Sequence, residues 1–181
     1  MSWLEGCDKK GMRSGCKQGD LEADREKEGE EMAGMDLKEL FKNGIPFAKR
    51  SGIEALRLEK EGIDLMMPLG PNINHIGSMY AGALFTLAEM MGGAVAMVYF
   101  MEHQLIPIVT GLNIKFLKMA KSDVTTTYAM TEEEVERIIT ECREKGKANY
   151  TIKLELKDKD RVVVAASEGF YQVRTSWAKK K

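Results

Sequence analysis

Residues 65–101 form a stretch of 37 positions in which only one, Glu89, is Asp, Glu, Lys or Arg. In a chain that is 30% charged, a stretch of that length would hold about 11 such residues (0.30 × 37). A run so depleted of charge has to be covered, by lipid or by protein, and its lone carboxylate must be tolerated or used in that setting. Whatever this chain folds into, these residues lie at its centre.

The choice of cover comes first. Residues 76–101 include 19 apolar side chains among 26, which is long enough for a membrane span. Glu89 sits near the middle, where an ionised group is costly in hydrocarbon. The downstream flank passes into a strand pattern instead of a basic anchor, and Gly77, Gly82, Gly92 and Gly93 punctuate the run. A buried central helix in a soluble protein explains the same residues at lower cost, so no membrane partner is expected.

The rest of the composition narrows the class. With 181 residues, 44% of them hydrophobic, the chain can build one domain with a sizeable core. A net charge of −1 and a pI near 6.2 give no basic excess, and no nucleic-acid partner is expected. The three cysteines are odd in number and have no metal-ligand spacing, which suits a reducing, cytoplasmic location. His75 and His103 are the only histidines, so a histidine-rich metal centre is excluded and no metal site is expected. No Gly-rich phosphate loop and no Gly-x-Ser-x-Gly elbow is present. Residues 1–34 carry 15 charges, with only Leu4 and Leu21 from the Leu/Ile/Val/Phe set and no secretory apolar run. They read as a flexible extension, with residues 20–32 as its best helix.

Periodicity supplies the elements. Residues 36–42 read as a short amphipathic helix, 55–60 and 63–68 as two strands broken at Glu61-Gly62, and 80–100 as the long apolar helix. Strands follow at 107–118 and 123–130. Residues 131–145 form a capped helix: Thr131 precedes three glutamates, Gly146 stops it, and Val135, Ile138, Ile139 and Cys142 form its apolar stripe. Strands at 148–157 and 161–173 close the set, the former alternating Tyr150, Ile152, Leu154 and Leu156 with charged residues. The order predicts an α+β fold, an antiparallel sheet around a helix buried on all sides. A single small sheet cannot cover such a helix completely, so self-association is expected.

Asn74, Tyr80-Ala81-Gly82 and Leu87-Ala88-Glu89 carry a family resemblance. They resemble the Asn, His-Gly-Gly and Leu-Ala-Asp of hotdog-fold thioesterases, particularly the phenylacetyl-CoA thioesterase-like branch and its uncharacterised cousins. Residues 113–117 are similar to that family's strand after the helix, and the likeness spans about residues 35–175. It implies an α+β hotdog fold over residues 35–181, with the helix at 131–145 as an amphipathic insertion between strands. It also implies an acyl-CoA thioesterase, with coenzyme A entering only as part of the substrate and no separate cofactor. In that scheme Glu89 is general base or nucleophile, Asn74 positions water or substrate, the Ala81 amide is the oxyanion donor and Thr110 offers a hydroxyl beside Glu89. His75, Gly77, Tyr80, Gly82 and Phe85 fall on the substrate side.

Two features depart from the family pattern. Glu replaces Asp, which moves the carboxylate by about one methylene, and Tyr80 replaces the histidine. The residues themselves leave other roles open. Glu89 could be a structural anchor accepting hydrogen bonds from loop amides, Asn74 a turn former and His75 a plain loop residue. Lys115, Lys118, Lys121, Arg174 and residues 179–181 could meet coenzyme A phosphates or simply be solvated. A non-catalytic hotdog module binding an acyl thioester or another apolar ligand is the alternative function.

Spacing adds one constraint. Ala81 and Glu89 are eight residues apart on one helix, about 12 Å along its axis at about 1.5 Å per residue. One carbonyl group cannot be held by the first and attacked by the second. If both act, they come from different subunits, as the resemblance also implies, so a homodimer or homotetramer is expected.

Overall fold

A computed structural model describes residues 36–175. The charged extension expected at 1–34 and the lysines at 179–181 lie outside the described residues. Asp36 caps helix α1 (Leu37–Gly44), its carboxylate accepting from the Lys38 amide at 3.0 Å. A short helix that periodicity did not reveal follows, α2 (Pro46–Ser51), opened by proline and closed by Gly52 at φ +73°. Its punctuation was present in the sequence, but only Ala48 turns into the core, too little for an apolar stripe.

Strands β1 (Glu54–Glu59) and β2 (Gly62–Met67) form a hairpin, and a loop with a 3-10 turn (Gly70–Asn72) leads to the central helix α3 (Ala81–Val95). A π turn (Ala96–Phe100) and a 3-10 turn (Met101–His103) extend it before β3 (Leu105–Phe116). Then come β4 (Val124–Tyr128), helix α4 (Glu132–Lys145), β5 (Lys147–Lys157) and β6 (Val163–Thr175). All pairings are antiparallel, in the order β1-β2-β4-β5-β6-β3.

The inserted helix forms as its caps predict. Thr131 Oγ1 accepts from the Glu134 amide at 3.2 Å, Gly146 takes φ +74°, and Ile138, Ile139 and Cys142 are buried. On β5 the alternation holds residue for residue, with Tyr150, Ile152, Leu154 and Leu156 inward.

The central helix departs from expectation in one respect. Six strands curve round only part of its circumference, so it is not buried on all sides. Ala81, Phe85 and Gly93 are exposed, and Glu89 and Met97 are half-buried, while the residues between them are mostly covered. The four-residue spacing makes these positions one open stripe. Ala81–His103 is long and apolar enough to cross a membrane by length and composition, and 67% of its most apolar window is buried inside the protein. A core helix of a soluble protein has the same character.

Candidate active site

The loop before α3 is built to fix where the helix begins. Asn72 donates its side-chain amide to the carbonyls of Ser51 (2.7 Å) and Pro68 (2.8 Å), and its own carbonyl receives the Tyr80 amide at 2.8 Å. The Met79 amide reaches the Ala120 carbonyl at 2.8 Å. Asn72 was not singled out in the sequence, where it looks like any other loop asparagine.

Asn74 closes the turn that follows. Its Oδ1 accepts from the amides of Ile76 (3.0 Å) and Ser78 (3.1 Å), and its Nδ2 donates to Ser78 Oγ at 3.0 Å. Both ends of the amide are therefore engaged within its own loop, the turn-forming role weighed for it above. Gly77 supplies φ +76° for the same turn, and its N–H meets the Asn74 carbonyl at 3.1 Å. His75 lies exposed on the outside of this loop.

Tyr80 is the residue before the first helical turn, extended at φ −62°, ψ 135°, and its side chain provides no cap. Its carbonyl receives the amides of Ala83 (3.0 Å) and Leu84 (3.3 Å). The N–H groups of Ala81 and Gly82 stand ahead of the helix's own ladder, at its positive end. The Tyr80 ring folds over Gly82, where any Cβ would collide with it.

Glu89 projects from the open stripe two turns further on. Burial pushes its carboxyl pKa above the ordinary value. Among the described residues it makes no hydrogen bond and no ion pair. The hydrogen bonds that the anchor role calls for are not formed among the described residues. Phe85 flanks it one turn toward the helix start, 42% exposed.

Thr110 sits in a bulge of β3 between Val109 and Gly111, and its Oγ1 donates to the Phe170 carbonyl at 3.0 Å. The structure commits this hydroxyl to the β3–β6 pair instead of to Glu89. Lys115, Lys118 and Lys121 are exposed. No cluster of metal-ligating side chains occurs among the described residues.

Two features escaped the sequence. An apolar groove of about 320 Å³ runs on from the stripe, bounded by Leu40, Phe41, Met90, Met97, Met101 and Leu105, with Gly93 in its wall. Beneath the helix, Tyr171 of β6 stacks on Tyr150 of β5 with ring centroids 5.4 Å apart. Burial, and then the Glu89 charge, push the Tyr171 phenol up to about 12. A glycine two residues before a tyrosine on one strand face was the only available hint of it.

This architecture, a six-stranded antiparallel sheet around a long helix whose start is pinned by an asparagine loop, is the hotdog fold of the thioesterase superfamily. Residues 36–171 match the family described as a domain of unknown function, DUF4442, and the chain belongs to that family. It is similar to the crystal structure of PA5026 from Pseudomonas aeruginosa, described as a protein of unknown function and probable thioesterase. The two share 42% identity over 77% of this chain and 93% of that one, with a TM-score of 0.74. A putative thioesterase from Shewanella oneidensis shares the fold at 20% identity over 77% and 95% of the chains, TM-score 0.65. Thioesterase HI1161 from Haemophilus influenzae does so at 16% identity over 80% and 92%, TM-score 0.61. No curated protein matches the sequence.

Proposed function

We propose that the protein is an acyl-CoA thioesterase in which Glu89 acts as general base and the Ala81 amide of a second subunit holds the oxyanion. The carrying observation is a half-buried carboxylate without hydrogen-bond or ion-pair partners among the described residues, set on an open helical stripe that runs into an apolar groove. Burial raises its basicity, the property a base for water needs. Glu89 takes a proton from water, whose oxygen attacks the thioester carbon. The resulting oxyanion is met by a helix N-terminal N–H, the C–S bond breaks, and the proton passes to the leaving thiol. The acyl chain lies over Gly93 in the methionine-bounded groove, whose size falls at the lower end of ligand pockets, about 300–1,000 Å³. Methionines suit such a wall because they repack around chains of differing shape.

Two observations support a shared site. Among the described residues nothing covers the open stripe of α3, and β3, twelve residues long, is the last strand of the sheet. Exposed Val109, Phe116 and Leu117 line that strand and the residue after it.

Thiol release from a panel of short, long and aromatic acyl-CoAs tests the activity. Wild type should turn over, and Glu89→Gln should lose about 10²–10⁴-fold. Equal slow release by both would leave the binding-module reading instead. For the shared site, Ala81→Pro removes one N–H at the first helical position, where proline is tolerated and Tyr80 already has the extended conformation proline demands. It should cost about 10²–10³ in kcat. Mixing Ala81→Pro chains with Glu89→Gln chains should restore activity, since one site of each heterodimer then carries neither change. Confirmed mixing without recovery would overturn the pairing of Glu89 with a second subunit's Ala81 amide.

A further inference from the structure

Of three side-chain hydroxyls buried without a partner among the described residues, Tyr150, Ser167 and Tyr171, one lies under the catalytic stripe. Tyr171 is held in a slot made by two glycines. A Cβ at Gly92 of α3 would collide with its ring, and a Cβ at Gly169, two residues earlier on β6, would lie 2.6 Å from the ring edge and 2.8 Å from the hydroxyl oxygen. The ring therefore has one edge against Gly92 and the other, with its hydroxyl, leaning toward residue 169. Strand β3 returns from the C-terminal end of α3 and β6 pairs antiparallel with it, Leu105 opposite Thr175. Residue 169 is thus on the helix N-terminal side of 171, and the hydroxyl leans from the level of Gly92 back toward that of Glu89.

A buried phenol with no acceptor is unfavourable by about 1–3 kcal/mol. Two glycines seat a side chain that phenylalanine would replace without this cost. Glu89 presents the complementary deficit, a carboxylate with no side-chain or backbone donor among the described residues. Building on the reading of Glu89 as general base, we propose that Tyr171 is a positioning residue, its hydroxyl donating to the Glu89 carboxylate when the site is assembled. The bond fixes the carboxylate's direction toward water and favours its ionised form.

The electrostatics agree with this placement. The Glu89 charge acts on the phenol, whereas burial is the only influence resolved on Glu89 itself. The asymmetry is physical, because the phenol is still neutral at the pH where the carboxyl titrates. Other ionisable groups on the elements packed against α3 are Lys49 and Arg50 of α2, Asp64 of β2, Lys115 of β3 and Tyr128 of β4. On β5 and β6 they include Tyr150, Lys153, Glu155, Glu168 and Arg174. None of these contributes a resolved shift to Glu89. Lys153 and Glu168 pair with each other at 3.2 Å on the other side of the sheet.

The test compares wild type, Tyr171→Phe and a control, Tyr150→Phe, by carbon-13 NMR titration of the Glu89 carboxyl and by the pH profile of kcat/KM. Losing a donor to the anion should make Glu89 titrate at higher pH in Tyr171→Phe. The acid limb should move the same way, with kcat/KM down about 10-fold on that limb and KM little changed. Tyr150→Phe should leave the titration where it is. An unmoved Glu89 titration in Tyr171→Phe overturns the proposal whether or not the protein turns over thioesters. A shifted titration in a protein without thioesterase activity would keep the Tyr171–Glu89 pair and discard the hydrolase.

Discussion

Gly92 and Gly93 are adjacent in the chain and meet opposite surroundings. Gly92 is buried against the sheet, and a methyl group there would strike the Tyr171 ring. Gly93 is exposed, and a methyl group would meet nothing within 4 Å. One residue of rotation, about 100° of helix, separates the face that holds the fold from the face left for chemistry. On the covered side every position is filled and small changes cost stability. On the open side lie the unpaired carboxylate, the exposed Phe85 and the groove, all of which make the isolated protomer less stable than it could be. Composition registers both faces as one run with a single charge. Only the three-dimensional structure tells them apart.

The sharpest way to break this comparison is at Glu89. Glu89→Gln keeps the shape and removes a charge that burial disfavours, so activity should drop about 10²–10⁴-fold while the protein becomes more stable, by about 2–4 °C in Tm per kcal/mol recovered. Calorimetry beside the thiol-release assay reads both. A fall in Tm together with activity would mean the carboxylate holds structure, and the two faces would not differ in kind.

Next in size are the glycines. Gly92→Ala should destabilise by about 1–3 kcal/mol, or more if the tyrosine cannot move, because overpacked sites cannot relax freely. Gly93→Ala should stabilise by about 0.5–1 kcal/mol, the helix-propensity gain with no steric cost. Denaturant unfolding of both variants decides it. A loss at Gly93 in place of the gain would show a second copy packed closely on the stripe. Gly93→Leu extends the same test to function. It should fill the groove and lower kcat/KM for long acyl chains about 10-fold while sparing the shortest ones, since a few methylenes in an apolar pocket are worth about 1–3 kcal/mol.

Much of this was legible in the sequence, for reasons that can be named. The strand at β5 announced itself because one face is buried and the other solvated. Helix α4 did so because Thr131 and Gly146 are strong local stop signs. Glu89 stood out because charge is rare where burial is high. What stayed hidden depends on contacts between distant segments. The carbonyls of Ser51 and Pro68 turn Asn72 into the pin of the helix start, and no local pattern foretells them. The unmade hydrogen bond of Tyr171 is invisible until β6 is laid under α3. Asn74 carries a second kind of hidden information: its position resembles that of a family's site residue, and only the structure shows its amide engaged in its own turn.

The smallest expected effect concerns pH. Because burial raises the Glu89 pKa above its unfolded value, the folded protein binds more protons than the unfolded chain between those two values. Stability attributable to this group is therefore fully present below the unfolded pKa, falls as pH rises through that window, and stays level above the folded pKa. In Glu89→Gln this part of the slope should vanish, so the two stability curves diverge as pH rises through that window and run parallel above it. Urea unfolding of wild type and Glu89→Gln on both sides of the window measures the difference. Curves that converge with rising pH would mean the ionised carboxylate is stabilised in the fold, by the Tyr171 hydroxyl or by a partner subunit. That outcome would move Glu89 from the open face of the comparison to the covered one.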